Sequence, residues 1–117
     1  MRYQRWRIYV KLGIVAAVLL WKGLAGAAFD TGNELYQYCT AKAGNQEFAF
    51  CLGLVTGYYE GFTIGFECPG AGPKVTREQL KDIVVRFLEA NPSNRHMPGA
   101  VLAGRAYLLA FNCKKAL

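Results

Sequence analysis

Apolar positions at helical spacing divide the chain beyond residue 30 into four segments. The clearest is the third. Leu80, Ile83, Val84, Phe87 and Leu88 fall at i, i+3, i+4, i+7 and i+8, one face of a helix. Thr76 and Gln79 fit a T-x-x-Q capping box at its start, and Asn91-Pro92 stops it. Asp82 and Arg86 are spaced to pair on its other side. The first helix opens at Thr31, where Thr31 and Glu34 fit a T-x-x-E box. Leu35, Tyr36, Tyr38 and Cys39 give it an apolar side, and Ala43-Gly44-Asn45 ends it. The second starts after Asn45 and runs to Phe66, before the loop Cys68-Pro69-Gly70-Ala71-Gly72-Pro73. The fourth has Pro98 in its first turn. From Ala100 to Phe111 it is apolar almost all round, apart from Arg105, which predicts a central, buried helix. Strand-like alternation never holds for long.

Inside the second segment, CLGLVTGYYEGFTIGFEC, glycine recurs at every fourth position: Gly53, Gly57, Gly61 and Gly65. GxxxG in an apolar stretch marks membrane helices that pair. On a helical wheel, however, Thr56, Glu60, Thr63 and Glu67 form a polar strip, while Leu54, Val55, Tyr58, Phe62 and Phe66 gather on another side. Two acids on so short a segment exclude a lipid-facing span. Four glycines in a helix interior cost about 3–4 kcal/mol against alanine. A groove that admits a neighbouring helix would offset this, and the fourth helix, with Gly104, is the expected partner.

The 117-residue chain carries a formal net charge of +6, unevenly placed. Residues 1–27 hold Arg2, Arg5, Arg7, Lys11 and Lys22 and no acid; residues 28–117 hold nine Lys/Arg against all eight acids. The remainder is thus nearly neutral, with no basic stripe or nucleic-acid motif, which excludes a nucleic-acid partner. The first quarter reads as an export signal: basic MRYQRWRIYVK, apolar LGIVAAVLLW, then small residues ending Ala25-Gly26-Ala27. The apolar run rises only ~15 Å as a helix, half of a bilayer core. Cleavage after Ala27 is expected, leaving a periplasmic helical domain, 28–117, without a membrane anchor.

Export explains Cys39, Cys51, Cys68 and Cys113, an even number in an oxidising compartment. Their spacing does not suit zinc, haem or thiol exchange. A helix from Cys51 to Cys68 would hold those two ~25 Å apart, beyond disulfide reach. In an up-down four-helix bundle, Cys39 meets Cys51 at one pole and Cys68 meets Cys113 at the other. The expectation is a small all-α bundle stapled by two disulfides.

No catalytic set stands out, and neither a metal nor a cofactor is implied. His96, the single histidine, has no evident orienting acid and no nucleophile except Ser93 nearby. Glu60 and Glu67 suit a solvated strip. The chain does not read as an enzyme.

The run CLGLVTGYYEG followed by CPGAGPKVTREQLKDIVVRFLEANPSNRHMPGAVLAGRAYLLAFNC resembles the Rap/Tai immunity proteins of type VI secretion systems, from Gly32 to Cys113. The likeness rests on Cys51, Gly53 and Gly57; on Cys68, Pro69, Val75, Thr76 and Gln79; on Pro92, Arg95 and His96; and on Ala110, Phe111 and Cys113. Two features depart from the family pattern: Asn112 stands where a proline is expected, and the loop Pro69–Lys74 is longer and richer in glycine. The resemblance implies a periplasmic inhibitor that binds a peptidoglycan amidase effector, in a family whose members are often dimers. Binding of that kind needs a rigid scaffold with exposed anchors. The candidates are Pro69, Gly72 and Lys74 in one loop, Arg95 and His96 in another, and Tyr36, Tyr58 and Tyr59. For Pro92, Arg95 and His96 the competing role is to shape the turn into the fourth helix. The alternative function is a periplasmic helical chaperone or scaffold without a toxin partner.

Overall fold

The computed structural model describes residues 30–116. Four helices build it: α1 (Gly32–Cys39), α2 (Gln46–Gly65), α3 (Arg77–Ala90) and α4 (Gly99–Ala110). A 3-10 turn spans Pro92–Asn94, and two short strands, β1 (Phe66–Glu67) and β2 (Lys114–Lys115), pair antiparallel. The export signal expected over 1–27 lies outside the described residues. Among the described residues no helix is long and apolar enough to cross a membrane.

The capping chemistry sets the helix starts. At α3 the box is complete: Gln79 N–H donates to Thr76 Oγ1 at 3.1 Å, and Thr76 N–H donates to Gln79 Oε1 at 2.8 Å. At α1 only half of it forms. Thr31 Oγ1 accepts the Glu34 N–H at 3.3 Å, but the Glu34 carboxylate takes up the Thr31 hydroxyl. Helix α1 also stops at Cys39, short of Ala43. There the Thr40 hydroxyl and N–H both donate to the Tyr36 carbonyl, at 2.7 and 3.0 Å, closing the last turn. The expected Asp82–Arg86 ion pair does not form. Asp82 pairs with Lys81 at 2.6 Å, and Arg86 Nε donates to the Asp82 carbonyl at 3.4 Å.

The core draws on all four helices: Leu35 and Cys39, Cys51 and Val55, Leu80, Val84 and Leu88, and Leu102, Ala103, Ala106 and Tyr107. Tyr107 is its largest fully buried side chain. Helix α1 is the short member, ~12 Å against ~30 Å for α2. Its start is tied to the α3–α4 connection, where Gly32 and Asn33 N–H donate to the Met97 and Arg95 carbonyls at 2.9 and 2.8 Å. A Cβ on Gly32 would collide with Arg95 backbone and the Leu102 side chain, so glycine is what permits this approach.

Two packing expectations are corrected. Helix α4 is not buried all round. Val101, Leu108 and Leu109 are exposed, Leu109 by 71%, because so small a bundle covers only the side that meets α2 and α3. The glycine stripe is not covered by α4 either. A Cβ built at Gly53, Gly57, Gly61 or Gly65 meets nothing within 4 Å among the described residues. The inward side of α2 is taken by its large residues instead, with Val55 buried and Leu54, Tyr58, Tyr59 and Phe62 packed against the core. Gly104 does lie against α2, where an added Cβ would stand 3.4 Å from the Phe62 ring. With open space above the stripe, Gly57→Ala and Gly61→Ala are each expected to stabilise the isolated chain by about 1 kcal/mol, or about 4–8 °C in Tm. Thermal melts followed by circular dichroism check this, and a lowered Tm would mean that the stripe is occupied.

The cysteines pair as expected, Cys39 with Cys51 and Cys68 with Cys113. The second bond extends a ribbon that the sequence pattern does not signal. Phe66 faces Lys115 and Glu67 faces Lys114, so Cys68 and Cys113 are the next rung. Asn112, with φ of 52°, makes the turn out of α4. Cys113 N–H returns to the Leu108 carbonyl at 3.1 Å in a Schellman closure. Proline, held near φ −65°, could not take this conformation, so asparagine suits the turn that delivers Cys113 to Cys68.

Candidate functional site

The loop from Cys68 to Val75 is anchored at its base and free at its tip. Cys68 is bonded to Cys113. Gly70 N–H donates to the Phe111 carbonyl at 3.0 Å, and Ala71 N–H to the Cys68 carbonyl at 3.0 Å. Gly70 is pressed onto Phe111 backbone so closely that any Cβ would clash with it. Val75 then packs on the core, and Thr76 caps α3. Between these ties Gly72, Pro73 and Lys74 are exposed, as is Pro69. The loop overhangs an open cavity of about 450 Å³ against α3 and the end of α4, lined among others by Gly72, Lys74, Gln79 and Arg86.

The other loop, 91–98, is fastened from within. Arg95 Nε donates to the Leu88 carbonyl at 2.7 Å, and its guanidinium lies 4.1 Å from the centre of the Tyr36 ring. Tyr36 in turn donates to Glu89 at 3.5 Å. Arg95 thus locks α1 onto the end of α3. His96 is exposed, with Nδ1 3.1 Å from the Ser93 carbonyl. Tyr58 and Tyr59 are half-buried. Tyr59 stands edge-on to Tyr107 and Phe111, at 5.4 and 5.8 Å, and burial pushes the Tyr58 phenol above its ordinary pKa, with Asp30 adding to the shift.

The residues singled out from sequence therefore do not form one cluster. Pro69, Gly72 and Lys74 precede α3, whereas Arg95 and His96 follow it, a 14-residue helix of ~21 Å away. Among the described residues no group of three or more His, Cys, Asp or Glu could hold a metal ion. What the geometry presents is a rigid helical body with a tethered, exposed loop.

The family model of the Rap1a immunity proteins matches residues 31–113. The chain belongs to that family. No curated protein and no solved structure matches it. The matched span runs from the N-cap of α1 to the last cysteine, so the match to the Rap1a immunity proteins covers all four helices and all four cysteines of this chain. Membership implies a protein that binds a toxin effector, and the family is not an enzyme class.

Sequence reasoning passed over one part of this surface. Beside the loop cavity lies a second, of about 580 Å³, between α3 and α4; Ile83 and Arg86 line both. Two signals pointed there. Helix α4 has more apolar surface than so small a core can cover, and Arg86, read as half of an ion pair, is left at the surface without a carboxylate among the described residues.

Proposed function

We propose that this chain is the periplasmic immunity protein for a type VI secretion effector of the peptidoglycan amidase class, which it inhibits by binding. Family membership across nearly all of the stapled domain carries the reading. Two disulfides suit an oxidising compartment, and residues 1–27 supply the export signal, cleaved after Ala27. The loop Pro69–Lys74, braced at its base by Cys68–Cys113 and Gly70, is the element offered to the effector, with His96 at the far end as a second point of contact. A homodimer is part of the same proposal, and the open glycine face of α2 is a surface on which two copies can meet.

The test is protection of cells. An amidase encoded beside this gene, sent to the periplasm of a bacterial host, lyses the culture. Co-expression of the full chain restores growth, and the chain lacking residues 1–27 does not. Absence of protection, together with absence of binding between the purified proteins, would reject the proposal.

A further inference from the structure

The two cavities adjoin at Ile83 and Arg86, which line both, and together they make up a trough along α3 and α4. Its apolar lining includes Ile83, Phe87, Ala106, Leu109 and Phe111, and Leu109 is 71% exposed. Its charges do not balance. The lining acid, Asp82, is already paired with Lys81 at 2.6 Å. Arg86 spends only Nε, on the Asp82 carbonyl, and neither Arg86 nor Lys74 has a carboxylate partner among the described residues. The trough thus presents two uncompensated cations beside apolar surface, which calls for a ligand with acids set between apolar side chains.

We propose that this trough docks an extended segment of a partner protein with the pattern apolar–x–acidic–x–apolar. The spacing follows from the helix. From Gln79 to Phe87 is eight residues, a rise of ~12 Å. Alternate residues of an extended chain point the same way, and the first and fifth lie ~13 Å apart. One apolar side chain enters beside Phe87, Ala106 and Leu109; the acid meets the free edge of the Arg86 guanidinium; the second apolar side chain reaches Phe111 beneath the loop. A further acid beyond it would meet Lys74. Arginine suits the central place because its fork can hold both oxygens of one carboxylate.

The source of the segment, the amidase effector, rests on the function proposed above, whereas the chemistry of the trough does not. Two measurements separate them. In an NMR titration, the capped peptide Leu-Ser-Glu-Ser-Leu should shift the amides of Ile83, Arg86 and Leu109. Its Lys-for-Glu counterpart, or the Arg86→Glu protein, should bind at least tenfold more weakly. Shifts that are absent, that fall elsewhere, or that are equal for both peptides overturn the trough. Against the purified amidase, Arg86→Glu and Leu109→Asp should each lose at least tenfold in affinity. Both positions are exposed, and circular dichroism verifies that the variants fold. If the native chain binds the amidase and both variants bind it equally well, the trough proposal fails and the immunity reading stands. If the peptide seats in the trough but no amidase binds, the immunity reading fails and the trough stands. If Leu109→Asp converts a dimer to a monomer, the trough is a contact between copies and the proposal is overturned.

Discussion

Exchange of Cys68 and Cys113 together for serine is expected to lower the stability of the domain by about 4 kcal/mol. The bond closes a span of 45 residues, and the entropy of the unfolded chain sets the size of the loss. Cys39–Cys51 closes only 12 residues, so its removal is expected to cost about 3 kcal/mol. Either value is a large share of the 5–15 kcal/mol that holds a typical domain together. The first exchange has a structural consequence that the second lacks. Cys68 starts the exposed loop, Cys113 follows the turn at Asn112, and the β1–β2 ribbon adjoins both. Without the bond this end is held by the β1–β2 ribbon, by the packing of Phe111, and by hydrogen bonds such as Gly70 N–H to the Phe111 carbonyl and Ala116 N–H to the Gly65 carbonyl at 2.9 Å. Urea unfolding of the two double variants checks the ordering. A Cys68/Cys113 variant as stable as the native chain would show that the loop closure contributes nothing.

Most local signals were legible in the sequence, although the Thr31 box closes only by half and Asp82 pairs with Lys81 rather than Arg86. The capping box at Thr76 needs only four residues, and it closes as read. The bounds of α2 and α3 follow from Asn45, the Pro/Gly-rich loop and Asn91-Pro92. The cysteine pairing follows too, because helix length separates Cys51 from Cys68 and an up-down order brings Cys39 to Cys51 and Cys68 to Cys113. The two packing misses share a physical cause. Periodicity shows that a helix has faces, but not which neighbour reaches which face. The glycines of α2 looked like a groove for α4, yet Val55, Tyr59 and Phe62 already occupy the inward side. The apolar surround of α4 looked like deep burial, yet a core this small leaves Leu109 outside. For Arg95 a structural role at the turn competed with partner contact, and its guanidinium lies over Tyr36, 59 positions earlier in the chain, which accords with the structural role. The trough depends on α3, α4 and the loop meeting at one place, a relation that no single segment encodes.

Tyr107→Ala is expected to cost about 3–5 kcal/mol, as for other large aromatic residues removed from a core. Tyr107 is fully buried, with Tyr59 at 5.4 Å, Phe62 at 6.1 Å and Phe111 at 6.4 Å between ring centres. It therefore links α4 to α2 across the centre of the bundle. Its hydroxyl donates to the Val55 carbonyl at 2.6 Å. Tyr107→Phe keeps the ring and removes only that donor, and Val55, lying inside a helix, keeps its own ladder bond. The cost there is about 1 kcal/mol. The two variants also differ from the native chain in their response to pH. Burial, with smaller effects from Tyr58 and Tyr59, pushes the Tyr107 phenol well above its ordinary 10.0. The neutral form is thus favoured by folding. The associated stability is complete below pH 10 and is lost as pH rises from there towards the folded-state value, because the unfolded chain ionises first. Between pH 9 and 11 the native chain should lose about 1.4 kcal/mol from this group. Tyr107→Phe should lack that contribution, while ionisations at other sites, Tyr58 among them, act on both chains. Urea unfolding at pH 9 and pH 11 measures the difference. Equal pH dependence in the two chains would show that Tyr107 ionises as readily folded as unfolded, and hence that water reaches its hydroxyl in the bundle.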